Sequence, residues 1–162
     1  MLWLWILIGV AVLLAVFFVF GYNRLVRLRN EVNTGWSNID VQLQRRADLI
    51  PNLVEAVRGY AAHEQATLEA VTELRMQAMA ARDPARLGAV ETALEQALGR
   101  LLALREAYPD LKASENFAQL SESLVQVEEH LQYARRFYNG AVRDYNDAIQ
   151  RVPDLLVARG FG

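Results

Sequence analysis

The feature that most constrains this sequence is an unbroken apolar run at its N-terminus. Residues 1–21 carry no charge, and residues 2–20 consist of Leu, Val, Ile, Phe, Trp and Ala with one Gly. A helix of this length spans the ~30 Å hydrocarbon core of a bilayer and satisfies its own backbone there. A cleaved signal peptide would instead have a basic start and an A-x-A-like exit. Because no Lys or Arg precedes the run, residues 1–21 are predicted to be a transmembrane anchor.

Aromatic and basic residues flank the anchor in the way typical of a membrane-spanning helix. Trp3 and Trp5 lie near one boundary and Tyr22 near the other. Three arginines then follow, namely Arg24, Arg27 and Arg29. Because positive residues favour the cytoplasmic side, we expect the N-terminus outside and the remainder of the chain in the cytoplasm. The lipid bilayer is therefore the first expected partner.

Charge and composition exclude several classes of protein. The chain has 17 Lys and Arg against 19 Asp and Glu, whereas nucleic-acid-binding domains usually carry a basic excess. It has no Cys, which excludes disulfides and thiolate sites. Its two histidines, His63 and His130, lack the spacing of a zinc-binding helix, and no nucleotide-binding or hydrolase motif occurs. We expect no nucleic acid, metal or cofactor, and no enzymatic activity.

Beyond the anchor, the spacing of apolar residues predicts long amphipathic helices. From residue 117 to residue 152, apolar and small side chains recur at alternating intervals of three and four. A similar stripe runs from residue 87 to residue 108. Each stretch begins with suitable capping or first-turn residues, namely Ser114 for one and Asp83 with Pro84 for the other.

The first half of this region is less regular. An apolar face continues from the anchor through Leu25, Leu28, Val32, Trp36, Ile39 and Leu43. Asp48 is a suitable cap and Pro51 fits a first turn, so the sequence favours a break at residues 48–51. A new helix would then run from about Leu49 to Ala81, with Leu53, Val57, Tyr60, Val71, Leu74 and Ala78 on its stripe. The alternative is one long helix kinked at Pro51.

Four amphipathic helices need partners for their apolar faces, and an antiparallel four-helix bundle is the simplest arrangement. The predicted fold class is all-α: anchor residues 1–21, bundle residues 22–152 and a C-terminal tail, residues 153–162. Small residues on the stripes reduce the apolar area of each helix, which favours further burial against another subunit, as in coiled coils. A homo-oligomer is therefore expected.

Several stretches of the sequence together resemble one family. They are Tyr22-Asn23-Arg24-Leu25-Val26, Trp36-Ser37, Ile39-Asp40-Val41-Gln42-Leu43, Arg45-Arg46-Ala47-Asp48-Leu49-Ile50-Pro51-Asn52-Leu53-Val54, Gly59-Tyr60, His63-Glu64, Glu115-Asn116-Phe117, Ala134-Arg135-Arg136-Phe137-Tyr138-Asn139 and Tyr145-Asn146. The set covers nearly the whole chain and resembles the LemA family of bacterial membrane proteins. One departure is Gly35, where the family usually has Ala. Either the helix is weaker there or a neighbour packs closely.

The resemblance implies a single-pass protein of the bacterial inner membrane with one N-terminal membrane helix, a four-helix bundle and no established enzymatic activity. It also implies a scaffold or organising role. Membrane proteases, whose genes are often near those of the family, and other envelope proteins are the partners that the resemblance suggests.

Polar residues suggest two sites whose interpretation stays open. Asp40, Arg45, Arg46 and Asp48 surround the predicted turn. They form either a docking patch for a partner or subunit, or helix caps and local ion pairs, which we favour. Glu64 falls on the apolar stripe of the predicted helix, where a carboxylate needs a partner. Candidate partners are Arg45, Arg46, Arg135 and Arg136, and the equal alternative is that Glu64 faces water.

Aromatic residues give further candidates. Tyr138-Asn139 and Tyr145-Asn146 repeat at seven residues. Their asparagines either form hydrogen bonds between helices or face solvent beside packed tyrosines, which we favour. Trp36 is expected to anchor the core, with a contact at a protein interface as the alternative.

These observations predict a non-enzymatic, membrane-anchored helical scaffold that self-associates and organises membrane or envelope proteins. The alternative is a membrane-remodelling or lipid-binding protein, in which an amphipathic helix or the tail from Leu155 to Phe161 enters the lipid interface.

Overall fold

The computed structural model of the protein describes residues 2–151, a range that contains helices and turns but no strand. The helices are α1 (Leu2–Arg58), α2 (Gln65–Ala80), α3 (Pro84–Ala103), α4 (Pro109–Lys112) and α5 (Glu115–Gln150). A single 3-10 turn, Leu104–Glu106, follows α3. The predicted all-α class is confirmed.

The starts of α3 and α5 lie where their capping residues predicted. Asp83 accepts a hydrogen bond from the backbone N–H of Arg86 at 2.9 Å, and Pro84 occupies the first turn of α3. The hydroxyl of Ser114 accepts a hydrogen bond from the N–H of Phe117 at 3.4 Å. Each cap satisfies a backbone donor that the first turn of a helix leaves without an internal partner.

The predicted break at residues 48–51 is wrong, because α1 continues through Pro51 and ends at Arg58. Proline has no N–H, so the carbonyl of Ala47, four residues earlier, loses its usual donor. Arg75 of α2 supplies a replacement, since its Nε–H donates to the Ala47 oxygen at 2.6 Å. The helix therefore persists past the proline with that carbonyl satisfied.

The helix predicted from about Leu49 to Ala81 is consequently two helices. Its first part belongs to α1, a turn occupies residues 59–64, and α2 supplies the rest. Short connections between α1, α2 and α3 make consecutive helices antiparallel. α5 runs antiparallel to α1. Tyr138 of α5 packs against Gly35 of α1, whereas Glu128, earlier on α5, pairs with Arg46, which is later on α1.

The chain divides into two compact units, each containing part of α1 and part of α5. The anchor unit comprises Met1–Asp40 and Gln132–Gly162, and the core unit comprises Val41–Leu131. In the core unit, all five helices contribute to one hydrophobic core, which consists of Ile50, Leu53, Val54, Val57, Ala61, Leu68, Val71, Leu94, Ala97, Leu98, Leu101, Leu111, Phe117 and Leu124. The predicted four-helix arrangement has its apolar centre here.

In the anchor unit, α1 and α5 bury the stripes that their spacing predicted. On α5 these are Ala134, Tyr138, Ala141, Tyr145 and Ala148, and on α1 they are Leu25, Leu28, Val32 and Ile39, all buried or half-buried. Gly35 is buried among them, and a Cβ there would lie 3.0 Å from the Cα of Tyr138. Close packing, the second of the two explanations for this glycine, is therefore correct.

Two aromatic residues expected on buried stripes are exposed instead. Trp36 is 42% exposed, so its prediction as a core anchor is wrong. Gly35 takes the buried position, while the Trp36 ring lies beside Tyr138 with 5.6 Å between ring centroids. Tyr60 is 47% exposed because it follows the end of α1 in a turn, where no helical face exists to bury it.

Candidate functional site

The most exposed apolar surface in the described residues is the first part of α1. Every side chain from residue 2 to residue 20 is exposed except the half-buried Phe17. Trp3 and Trp5 are 84% and 69% exposed. Within residues 2–151, α1 is the helix long and apolar enough to cross a membrane. A helix that is apolar and exposed on all sides is suited to hydrocarbon and poorly suited to water.

Basic residues begin where the apolar surface ends. Tyr22 is partly exposed, and Arg24, Arg27 and Arg29 are exposed on the same continuous helix. Helical spacing distributes the three arginines around the helix axis. The predicted boundary between anchor and bundle thus falls inside α1. The predicted tail, residues 153–162, lies outside the described residues.

A buried ionic cluster lies in the core unit, centred on Arg46, which is only 1% exposed. Its guanidinium forms an ion pair with Glu91 of α3, and its Nη1 donates to Oε1 of Glu128 of α5 at 2.7 Å. One cation is therefore shared by two carboxylates from two other helices. Such a cluster holds three helices in one register, since leaving any member unpaired in the interior is costly.

The two glutamates of this cluster were missed by sequence reasoning. Glu91 follows Leu87 by four residues and precedes Leu94 by three, which places it on the apolar face of α3. Glu128 follows Val127 on the predicted stripe of α5. A carboxylate at such a position signals a buried partner, and that signal was available from spacing alone.

The other members of the predicted polar patch stay at the surface. Asp40, Arg45 and Asp48 are exposed along α1, and Asp48 accepts a hydrogen bond from Nε2 of Gln44 at 2.9 Å. Because α1 has no turn at residues 48–51, the expected grouping around a turn is wrong. A docking role for the exposed members stays a prediction.

Glu64 lies at the N-terminus of α2, not on the apolar face of a longer helix. It is half-buried, and its Oε1 accepts a hydrogen bond from the Tyr108 hydroxyl at 2.9 Å. Its partner is thus a tyrosine, and neither of the two alternatives, an arginine partner or a side chain facing water, described it. This hydrogen bond, together with burial and the negative charge of Glu64, raises the pKa of Tyr108 above its ordinary value.

The remaining candidates lie on α5 in the anchor unit. Tyr138 and Tyr145 are half-buried, whereas Asn139 and Asn146 are exposed. This agrees with packed tyrosines beside solvent-facing asparagines. Arg135 is half-buried and Arg136 is exposed. Among residues 2–151, no group of three His, Asp or Glu side chains is placed to hold a metal ion.

The fold and the exposed apolar span define a class: a membrane-associated, all-helical protein with one candidate membrane span in its described residues. The particular family follows from comparison with known sequences. Residues 35–162 match the model of the LemA family, and the chain belongs to that family. The family predicted from the sequence is confirmed.

Two curated relatives are similar to parts of this chain. Protein LemA of Metamycoplasma hominis is 31% identical over 101 residues, a match covering 61% of this chain and 46% of that protein. Magnetosome protein MamQ of Magnetospirillum gryphiswaldense is 26% identical over 125 residues, and this match also covers 61% of this chain and 46% of that protein. The chain thus spans about half the length of the curated relatives it matches.

Proposed function

We propose that this protein is a non-enzymatic scaffold, anchored in the bacterial inner membrane by α1, that self-associates and organises membrane or envelope proteins. The observation that carries the proposal is the exposure of residues 2–20 on a helix that continues directly into a packed helical pair. Lipid is the environment in which this apolar surface is stable. Family membership supports the assignment to a membrane.

The proposed orientation places the N-terminus outside and the helical bundle, residues 22–152, in the cytoplasm. It rests on Arg24, Arg27 and Arg29, which follow the anchor. Because the chain has no Cys, single-cysteine variants test it without background. In intact cells a membrane-impermeant maleimide should label Leu2→Cys and leave Glu95→Cys unlabelled until the membrane is opened. The reverse pattern would contradict the orientation.

Self-association is proposed because anchoring holds all copies at the same depth in one plane, which raises their effective concentration. Identical surfaces of neighbouring copies then face each other. The anchor unit exposes large aromatic side chains on these surfaces: Trp36 at 42%, Tyr133 at 65% and Phe137 at 41%. Exposed aromatic residues are enriched at protein interfaces, where they supply much of the binding energy.

Cysteine cross-linking in native membranes tests the contact. We expect Tyr133→Cys to form disulfide-linked dimers, and a second change, Phe137→Ser, to reduce their yield. The matched control is Glu95→Cys, an exposed position on α3 in the core unit. If Tyr133→Cys links no more than the control and the intact chain is monomeric in the membrane, self-association is excluded.

The proposed partners are membrane proteases and other envelope proteins. Proximity labelling in living cells, with the labelling enzyme fused to the intact chain, identifies them. The control is the same fusion carried on an unrelated single-pass anchor. Enrichment of the same proteins by both fusions would count against an organising role.

A further inference from the structure

The pairing of α1 with α5 determines how far α5 extends towards the anchor. In the anchor unit, Gly35 packs against Tyr138, and the two helices are antiparallel. From Tyr138, α5 continues for twelve residues to Gln150. Twelve residues back from Gly35 on α1 lies Asn23, and at ~1.5 Å per residue each distance is about 18 Å. The C-terminal end of α5 therefore lies beside Tyr22, at the boundary of the apolar span.

Charge is distributed unevenly along the chain. Residues 22–40 and 132–151 contain seven arginines and four carboxylates, whereas residues 41–131 contain nine basic and fourteen acidic side chains. Five of the seven arginines lie within about 12 Å of the boundary, measured along the helix axes. They are Arg24, Arg27 and Arg29 on α1, Arg143 on α5 and Arg151 directly after α5, and all five are exposed.

Two carboxylates, Asp144 and Asp147, share this zone with the five arginines. Arg151 pairs with Asp147 at 3.1 Å, with both side chains more than half exposed. Exposed pairs of this kind are weak and leave the arginine able to bind another anion. Among the described residues, five arginines against two carboxylates therefore give this zone an excess of positive charge next to the apolar span.

We infer that α1 and α5 together form a basic collar that binds the headgroups of anionic phospholipids, to which Arg143 on α5 and Arg151 directly after α5 contribute. The collar rests on the proposed membrane anchoring, and it adds a second helix and a lipid class to that function. A guanidinium suits this role because its planar donors match the oxygens of a phosphate group. Each arginine near an anionic surface strengthens binding about fivefold.

Lipid selectivity of the intact chain tests the collar. The protein is reconstituted in phosphatidylcholine bilayers containing trace spin-labelled phosphatidylglycerol or spin-labelled phosphatidylcholine, and electron paramagnetic resonance gives the association constant of each lipid. We expect the wild type to prefer the anionic lipid. The variant Arg143→Gln/Arg151→Gln should reduce that preference at least severalfold, whereas Arg143→Lys/Arg151→Lys should retain most of it.

The matched control is Arg82→Gln/Arg100→Gln, which removes two exposed arginines from the core unit. It should leave the preference unchanged. The collar would be refuted if both Gln variants preferred phosphatidylglycerol equally, or if the wild type showed no preference for it. Carbonate extraction of the same samples distinguishes failure of the collar from failure of the proposed function. A chain that stays in the bilayer but shows no lipid preference refutes only the collar. A chain that carbonate extracts refutes the membrane anchoring. Circular dichroism verifies that the variants remain helical.

Discussion

Arg45 and Arg46 are adjacent in sequence and have opposite environments, because neighbouring residues on a helix point about 100° apart. Arg45 is exposed, whereas Arg46 is buried against α3 and α5. If α1 is taken as continuous, Arg46 falls on the 3-4 stripe of Ile39, Leu43, Ile50, Leu53 and Val57. That stripe reaches Arg46 before the expected break at residues 48–51, so spacing alone places Arg46 on the apolar face.

Replacing Arg46 should be among the most destabilising single changes in the core unit. Arg46→Met leaves the buried Glu91 and the half-buried Glu128 without a cation, and we expect it to lower the free energy of unfolding by about 3–5 kcal/mol. Arg45→Met, the matched control, should change it by less than about 0.5 kcal/mol. Urea unfolding followed by circular dichroism in detergent measures both. Similar midpoints for the two variants would show that the cluster adds little.

The hydrogen bond from Tyr108 to Glu64 predicts a dependence of stability on alkaline pH. The pKa of Tyr108 is raised in the folded state, first by this hydrogen bond. The bond's contribution is thus fully present below the unfolded pKa of about 10, and it is lost as pH rises through the raised folded value. We expect the stability difference between wild type and Tyr108→Phe to shrink between pH 9 and pH 12. A constant difference across that range would contradict the assignment.

At the scale of elements, sequence reasoning succeeds where the determinants are local. The starts of α3 and α5 follow from Asp83 and Ser114, which act within three residues of themselves. The continuity of α1 cannot be derived in this way. The carbonyl of Ala47, which Pro51 leaves without its usual donor, is satisfied by Arg75, 28 residues further along the chain. The rule that proline interrupts a helix considers that helix alone, so it does not include a hydrogen-bond donor from another helix.

This explanation of α1 makes Arg75 and Pro51 energetically coupled. In the wild type, Arg75→Met removes the donor for the Ala47 carbonyl and should cost about 1–3 kcal/mol. In a Pro51→Ala background, residue 51 regains an N–H for that carbonyl, so the same change should cost clearly less. Denaturant unfolding of the four proteins gives the coupling as a double-mutant cycle. Equal costs in both backgrounds would refute the compensation.

The close approach of α1 and α5 predicts opposite effects for two glycine substitutions. Gly35→Ala gains up to ~1 kcal/mol of helix propensity but places a Cβ 3.0 Å from the Cα of Tyr138, an overpacking that costs about 1–3 kcal/mol. We expect net destabilisation. Gly99→Ala on α3 meets nothing within 4 Å and should stabilise by about 0.5–1 kcal/mol. Thermal unfolding compares them, and stabilisation by both would mean that the helices separate at Gly35 at little cost.

At the scale of the whole molecule, the division into two units follows from unequal helix lengths. α1 and α5 have 57 and 36 residues, whereas α2 and α3 have 16 and 20. The short helices can cover only part of each long one, so a four-helix core forms in one unit and a two-helix pair in the other. The spacing of apolar residues predicted which faces are buried. It did not predict this division, because helix ends depend on tertiary contacts.

The free energy of inserting the proposed anchor into lipid, in contrast, is a sum over its residues. Membrane insertion should therefore tolerate one added charge and fail once several are added. Its fourteen Leu, Ile, Val and Phe residues favour insertion by about 4–8 kcal/mol, while each central Arg costs about 2.5–3.5 kcal/mol. Val12→Arg alone should therefore remain in the membrane after carbonate extraction. Ile8→Arg/Val12→Arg/Val16→Arg should not, whereas the corresponding triple Leu variant should.

A helix that served as a buried protein core would respond differently. One unpaired arginine in a protein interior is already strongly destabilising, so Val12→Arg alone would then disturb the fold of residues 22–151. In a lipid anchor the fold of residues 22–151 is expected to survive all three arginines, because in residues 2–20 only Phe17 is half-buried and every other side chain is exposed. Circular dichroism and carbonate extraction of the same variants therefore distinguish a lipid-facing helix from a protein-facing one.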